Sequence, residues 1–78
     1  GGFKFYNGNT LTINNNTAYN GLYGYLFNNS DHLNISGNTA ENHTTYGFWG
    51  IELTDTNITY CTEVNATTGL FLADSNRN

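Results

Sequence analysis

Six asparagines, Asn15, Asn28, Asn34, Asn42, Asn57 and Asn65, each head an Asn-x-Ser/Thr triplet, the one pattern in this chain that prescribes a chemistry by type and spacing. Such a triplet is an acceptor for an N-linked glycan, and at this composition chance supplies roughly three, so the excess predicts attached sugars. Asn34 lies between Leu33 and Ile35, and alternation along a strand turns it to solvent, as a glycan requires. Other reactive side chains are sparse. His32 and His43 lack a neighbouring Ser or Cys motif, so no catalytic residue is predicted and the chain is not expected to be an enzyme. Cys61 is the only cysteine; it has no partner for a disulfide within the chain and lacks the short paired spacing of zinc ligands, so no metal site or cofactor is predicted. Alternation after an inward Tyr60 would turn Cys61 outward. Asp55 and Asp74 are hard oxygen donors of the kind calcium takes, but solvated turn carboxylates are the simpler reading. Segment 42–50, NHTTYGFWG, places His43, Tyr46 and Trp49 close together as a candidate ligand face, with the indole either stacking on a sugar ring or closing the local core.

The elements that must position these residues announce themselves by repetition. Gly2-Phe3-Lys4-Phe5, Gly24-Tyr25-Leu26-Phe27, Gly50-Ile51-Glu52-Leu53 and Gly69-Leu70-Phe71-Leu72 recur at a step of roughly 22 residues, each a glycine followed by apolar residues two apart. Leu11-Thr12-Ile13, Leu33-Asn34-Ile35 and Ile58-Thr59-Tyr60 echo in the same order. A third column runs Asn16-Thr17-Ala18-Tyr19-Asn20, Asn38-Thr39-Ala40-Glu41-Asn42 and, more loosely, Glu63-Val64-Asn65-Ala66-Thr67. Three short strands per circuit make a triangular coil whose like residues stack about 4.8 Å apart. Asn7-Gly8 and Asn20-Gly21 fit a hairpin signal, yet hairpins carry no long period, so parallel coils are expected. The inward columns predicted are Phe3, Tyr25, Ile51, Leu70 beside Phe5, Phe27, Leu53, Leu72, and Leu11, Leu33, Ile58 beside Ile13, Ile35, Tyr60. Asn7, Asn29, Asp55 and Asp74 are expected at one corner, where Asn tolerates left-handed angles and pairs with its copies. The longer segment 42–50 is expected to bulge as a loop.

Composition narrows the function classes. The 78 residues carry two basic and six acidic side chains, a net charge of −4. That balance excludes nucleic acid, whose binding needs several phosphates neutralised, and disfavours an anionic membrane surface. No apolar run is long enough to span a membrane. Asn, Thr, Ser and Gly form about half the chain, but the aromatic share of 15% argues for order over disorder. A free-standing domain of this size buries only about 60% of its unfolded surface; neighbours are therefore expected.

The stretches GLYGYLFNNSDHLNISGNTAEN and GIELTDTNITYCTEVN resemble the coils of right-handed parallel β-helix proteins, the broad NosD-like and pectate-lyase-like group, over essentially the whole chain. The resemblance implies an all-β fold, a right-handed parallel β-helix of about three and a half coils, and residues 1–78 as a single solenoid module. Pectin-degrading members use clustered Asp residues beside a basic residue, and no basic residue adjoins Asp55 or Asp74 here. The resulting expectation is a non-catalytic structural module of a secreted, N-glycosylated cell-surface or fibre protein. Its partners would be copies of itself or adjacent coils of the same chain, together with N-linked glycans. The alternatives are a carbohydrate-binding or carbohydrate-processing β-helix, or an adhesin module using outward Leu26 and Phe71.

Overall fold

The structure, a computed structural model, describes residues 2–73 and Ser75. Among them the chain forms strands β1 (Phe3–Tyr6), β2 (Thr12–Asn14), β3 (Thr17–Asp31), β4 (Asn34–Ser36), β5 (Thr39–Thr54), β6 (Asn57–Thr59), β7 (Thr62–Val64) and β8 (Thr68–Ala73). Every pairing is parallel: β1, β3 and β5 stack in order with β7 and β8 on β5, and β2, β4 and β6 form a second sheet. Each strand thus meets its counterpart one circuit later, giving a β-solenoid of about three turns. The expected coil architecture stands. One detail differs: β3 and β5 are long because the third strand of one circuit runs on around a corner into the first strand of the next.

Corners are made by residues in the left-handed region. Four columns of positive φ climb the molecule: Asn7, Asn29 and Glu52; Thr10, His32 and Asp55; Asn15, Gly37 and Tyr60; Asn20, Asn42 and Asn65. Asn dominates because its short amide tolerates αL and hydrogen-bonds locally. Its Nδ2–H also links rungs, Asn29 donating to Asn7 Oδ1 at 2.8 Å and Asn65 to Asn42 Oδ1 at 3.0 Å. Backbone bonding continues around the corners, with Thr10 N–H on Asp31 O at 3.1 Å and Thr39 N–H on Asn16 O at 2.8 Å.

Register corrects several expected columns. Phe3, Tyr25, Phe48 and Leu70 stack, so Phe48 and not Ile51 holds the third rung. Phe5, Phe27, Gly50 and Leu72 form the neighbouring column, so Leu53 leaves it and instead follows Ser30. The cause is the glycine column. A Cβ on Gly24 would lie 2.6 Å from Gly47 O, and one on Gly47 would lie 2.9 Å from Gly69 O, so only glycine permits this approach and Gly47, not Gly50, continues it. Segment 42–50 accordingly stays inside β5. It adds one residue rather than three, absorbed at the register shift facing Gly21 and Tyr23.

The same slip moves the later columns. Ile13, Ile35 and Ile58 stack on one another, leaving Thr56, 1% exposed, to follow Leu33. Tyr60 points outward at 89% exposure and Cys61 packs against the core, the reverse of the expected alternation, because Tyr60 occupies an αL corner. Asp55 follows His32 rather than Asn29, and its expected partner Asp74 lies outside the described residues. In the third face, Thr62-Glu63-Val64 follows Thr39-Ala40-Glu41, so Cys61 and not Glu63 succeeds Asn38.

The core lies along the axis: Ile13, Ala18, Tyr25, Phe27, Leu33, Ile35, Ala40, Phe48 and Leu53. Full burial of each large apolar side chain contributes about 1.5–3 kcal/mol. Rings stack up the first face, Phe3 on Tyr25 at 5.2 Å, Tyr25 on Phe48 at 4.8 Å and Phe5 on Phe27 at 5.3 Å between centroids.

Candidate functional site

Outside the first face, the pleat that sends Tyr25 and Phe48 inward sends Lys4, Leu26, Trp49 and Phe71 outward in one row. Tyr23 and Tyr46 pair beside it. The rings meet: Tyr46 lies 4.9 Å from Trp49 and stacks on Phe71 at 5.0 Å, while Tyr23 meets Trp49 edge-on at 5.7 Å. Lys4 Nζ sits 5.7 Å above the Tyr23 ring, and its hydrogen bond to Tyr23 raises the lysine pKa. Of the candidate ligand residues, Tyr46 and Trp49 are therefore brought together. His43 is not with them. It faces the interior, 2% exposed, its Nε2 3.1 Å from Ala18 O. A carbonyl only accepts, so Nε2 carries the proton, and Nδ1 is buried without a partner among the described residues. Leu26, expected to be exposed, is buried at 6%, whereas Phe71 is exposed. Sequence reading missed Tyr23 as part of this cluster; its spacing to Tyr46 follows the 23-residue step of the longer circuit.

A polar corner follows β3. His32 Nδ1 lies 3.3 Å from Asp31 Oδ2 and Nε2 lies 3.8 Å from Asp55 Oδ2. The His32 side chain is more than half exposed, and exposed pairs of this kind contribute only about 0–1 kcal/mol.

Inside the coil, Asn16, Asn38 and Cys61 form a column. Asn38 is fully buried. Its Oδ1 accepts from Asn16 N–H at 3.0 Å and Asn16 Nδ2–H at 3.2 Å, and its Nδ2 donates to Ile13 O at 2.8 Å. Cys61 occupies the next rung and donates to Thr59 O at 3.4 Å, as Asn38 does to Ser36 O. Tyr25 crosses the axis and shares its hydroxyl proton between Asn16 O at 2.7 Å and Thr39 O at 3.1 Å. Burial pushes its pKa up to about 12. Above Cys61 an opening of about 330 Å³ is lined by Phe48, Ile58, Tyr60, Cys61, Glu63 and Leu70, among others. Glu63 succeeds Ala18 and Ala40 in an inward column, and its Oε1 accepts the Ala66 N–H.

The six triplet asparagines are spread over the coils. Asn15, Asn34, Asn42, Asn57 and Asn65 are exposed and Asn28 is half-buried.

The whole chain, residues 1–78, matches the family described as "Periplasmic copper-binding protein (NosD)". No curated protein matches the chain, and no solved structure does. Copper is held by imidazole, thiolate and thioether donors, and the donors of this chain do not fit such a centre. Methionine is absent. Both His32 nitrogens face carboxylates, His43 is tied to Ala18 inside the core, and the Cys61 thiol donates a hydrogen bond to Thr59 O. Among the described residues no three His, Cys, Asp or Glu side chains are placed to share a metal ion. The description "periplasmic" accords with a location outside the cytoplasm. Matched from end to end and folded as stacked parallel coils, the chain belongs to the NosD family of β-helix proteins.

Proposed function

We propose that the chain is a non-catalytic scaffold module of a secreted, N-glycosylated cell-surface or extracellular protein, whose coils stack on further coils of its own chain or on another copy. The observation carrying this reading is the continuity of its ladders. Side chains that pack, cap and hydrogen-bond from rung to rung account for Asn38, Tyr25, Cys61 and the glycine column. Among the described residues the carboxylate and imidazole side chains that approach one another do so at the corner of Asp31, His32 and Asp55, beside no serine or cysteine nucleophile. Apolar rungs remain at both ends, Phe3 and Leu11 at one, Leu70 and Leu72 at the other, and uncovered strand edges template further strands. Sedimentation velocity across a wide concentration range tests the assembly. Concentration-dependent association supports stacking between copies, and a monomer that stays folded with both ends uncovered counts against it.

The Tyr46 and Trp49 cluster favours a second reading, a carbohydrate-binding face. Stacking on a sugar needs a free ring face, and Phe71 already covers one face of Tyr46. A glycan array read for the native chain and Trp49→Ala decides it: binding lost in the variant supports the face, and silence from the native chain removes it.

A further inference from the structure

We infer that, resting on the reading of this module as a glycoprotein, its sugars are carried by one face, the outside of the β2, β4, β6 sheet, on Asn34 and Asn57. The outward row of that sheet is Thr12, Asn14, Asn34, Ser36, Asn57 and Thr59, all uncharged and polar. In the triplets Asn34-Ile35-Ser36 and Asn57-Ile58-Thr59 the middle residue turns to the core, Ile35 being fully buried and Ile58 packed against it. The Asn and the hydroxyl of each triplet therefore stand two apart on the same outer surface. Both asparagines are exposed, and neither side-chain amide has a hydrogen-bond partner among the described residues.

The remaining triplets sit at left-handed corners or in the half-buried stretch of β3. Asn65 Nδ2 donates to Asn42 Oδ1 at 3.0 Å, both residues holding αL corners at φ 60 and 62. Asn15 holds another corner at φ 58 and lays its Oδ1 against Gly37, 2.4 Å from where a Cβ would stand. Asn28 is half-buried in β3, in register with Ile51 on the aromatic face. Glycosylation replaces one Nδ2–H by a bond from Nδ2 to the anomeric carbon of a lipid-linked sugar phosphate. The bond from that carbon to the phosphate oxygen breaks, the lipid phosphate leaves, and the amide proton passes to solvent. Asn34 and Asn57 accept this change without breaking a rung, and the Tyr46 and Trp49 face stays bare.

Glycopeptide mass spectrometry of the protein from its own host, digested after aromatic, leucine and glutamate residues so that each triplet lies on its own peptide, tests the assignment. Glycan mass is expected on the Asn34 and Asn57 peptides, with Asn15, Asn28, Asn42 and Asn65 unmodified. An N34Q/N57Q variant should lose all of it while keeping the native circular dichroism spectrum. Modification at Asn28, Asn42 or Asn65 with Asn34 and Asn57 bare, or occupancy spread evenly over the six, overturns the face while leaving a glycoprotein. No glycan at any of the six overturns the glycoprotein reading, and the assigned face with it.

Discussion

Two interior residues tie the rungs together from inside the coil: Asn38 through its amide and Tyr25 through its hydroxyl. Asn38 joins successive rungs with one amide, taking two donors from Asn16 and giving to Ile13 O. Asn38→Ala leaves Asn16 N–H without its partner and removes the amide's bond to Ile13 O, so urea denaturation should show a loss of roughly 1–3 kcal/mol. Asn38→Leu should do no better, since volume restores neither bond. Tyr25 offers a test by pH. Its phenol titrates near 12 in the fold because burial disfavours the phenolate, against about 10 when unfolded. Above pH 10 the unfolded chain holds fewer protons than the folded one. Stability is thus fully present below pH 10 and falls as pH rises towards 12. Tyr25→Phe should remove that slope from urea midpoints measured between pH 9 and 12, and remove the component titrating near 12 from the 295 nm absorbance. A slope that persists in Tyr25→Phe would assign it elsewhere. The same variant should cost about 1 kcal/mol at neutral pH through the lost hydrogen bond.

At the scale of the strand, a size exchange explains how one circuit misleads a reader of the sequence. In the second circuit the large Phe27 is paired with the small Ser30; in the next, Gly50 stands under Phe27 and Leu53 under Ser30. A Cβ on Gly50 would meet Leu53 Cδ1 at 2.6 Å and Leu72 Cδ2 at 2.7 Å, so these leucines fill the space a Phe would take. Core volume is conserved while the two positions trade it, the kind of exchange packed interiors tolerate. Because Gly50 is followed by Ile51 and Leu53, the trade imitates the glycine-led strand start that Gly47 actually supplies. The imitation predicts a double-mutant cycle. Leu53→Ser alone opens a cavity and should cost about 2–5 kcal/mol. Gly50→Phe alone overpacks, at about 1–3 kcal/mol. Together, G50F/L53S rebuilds the Phe27 and Ser30 arrangement on the next rung, where the new ring can stack as Phe5 does on Phe27 at 5.3 Å. The coupling should be favourable by about 1–3 kcal/mol in thermal or urea unfolding; strict additivity would refute the exchange.

For the molecule as a whole, the period, the parallel coils and the two sheets were legible because each rests on recurrence. Residues such as Phe3 and Tyr25, or Ile13 and Ile35, declare their columns by spacing alone. What the spacing hid was a single inserted residue facing Gly21 and Tyr23, which displaced Phe48, Thr56, Cys61 and Asp55 from their expected columns. The candidate ligand face was half legible for the same reason: Tyr46 and Trp49 lie outward together, while His43, one pleat away, lies within. That dispersal also bears on the family's description. A chelate needs donors that converge, and a solenoid brings residues together only when they share a column or adjoin across a corner. His32, His43 and Cys61 follow Thr10, Gly21 and Asn38 in separate columns. Stacking further circuits on this chain would not close the gaps between them. Titration of the chain with Cu(II), and with Cu(I) under reducing conditions against a competing chromophoric chelator, should therefore yield no tight stoichiometric complex. Residual weak Cu(II) binding should reside at the exposed imidazole and vanish in His32→Gln. A single copper retained against the chelator would show that side chains set apart in this fold can be drawn together, and it would overturn the separation of columns on which the scaffold reading depends.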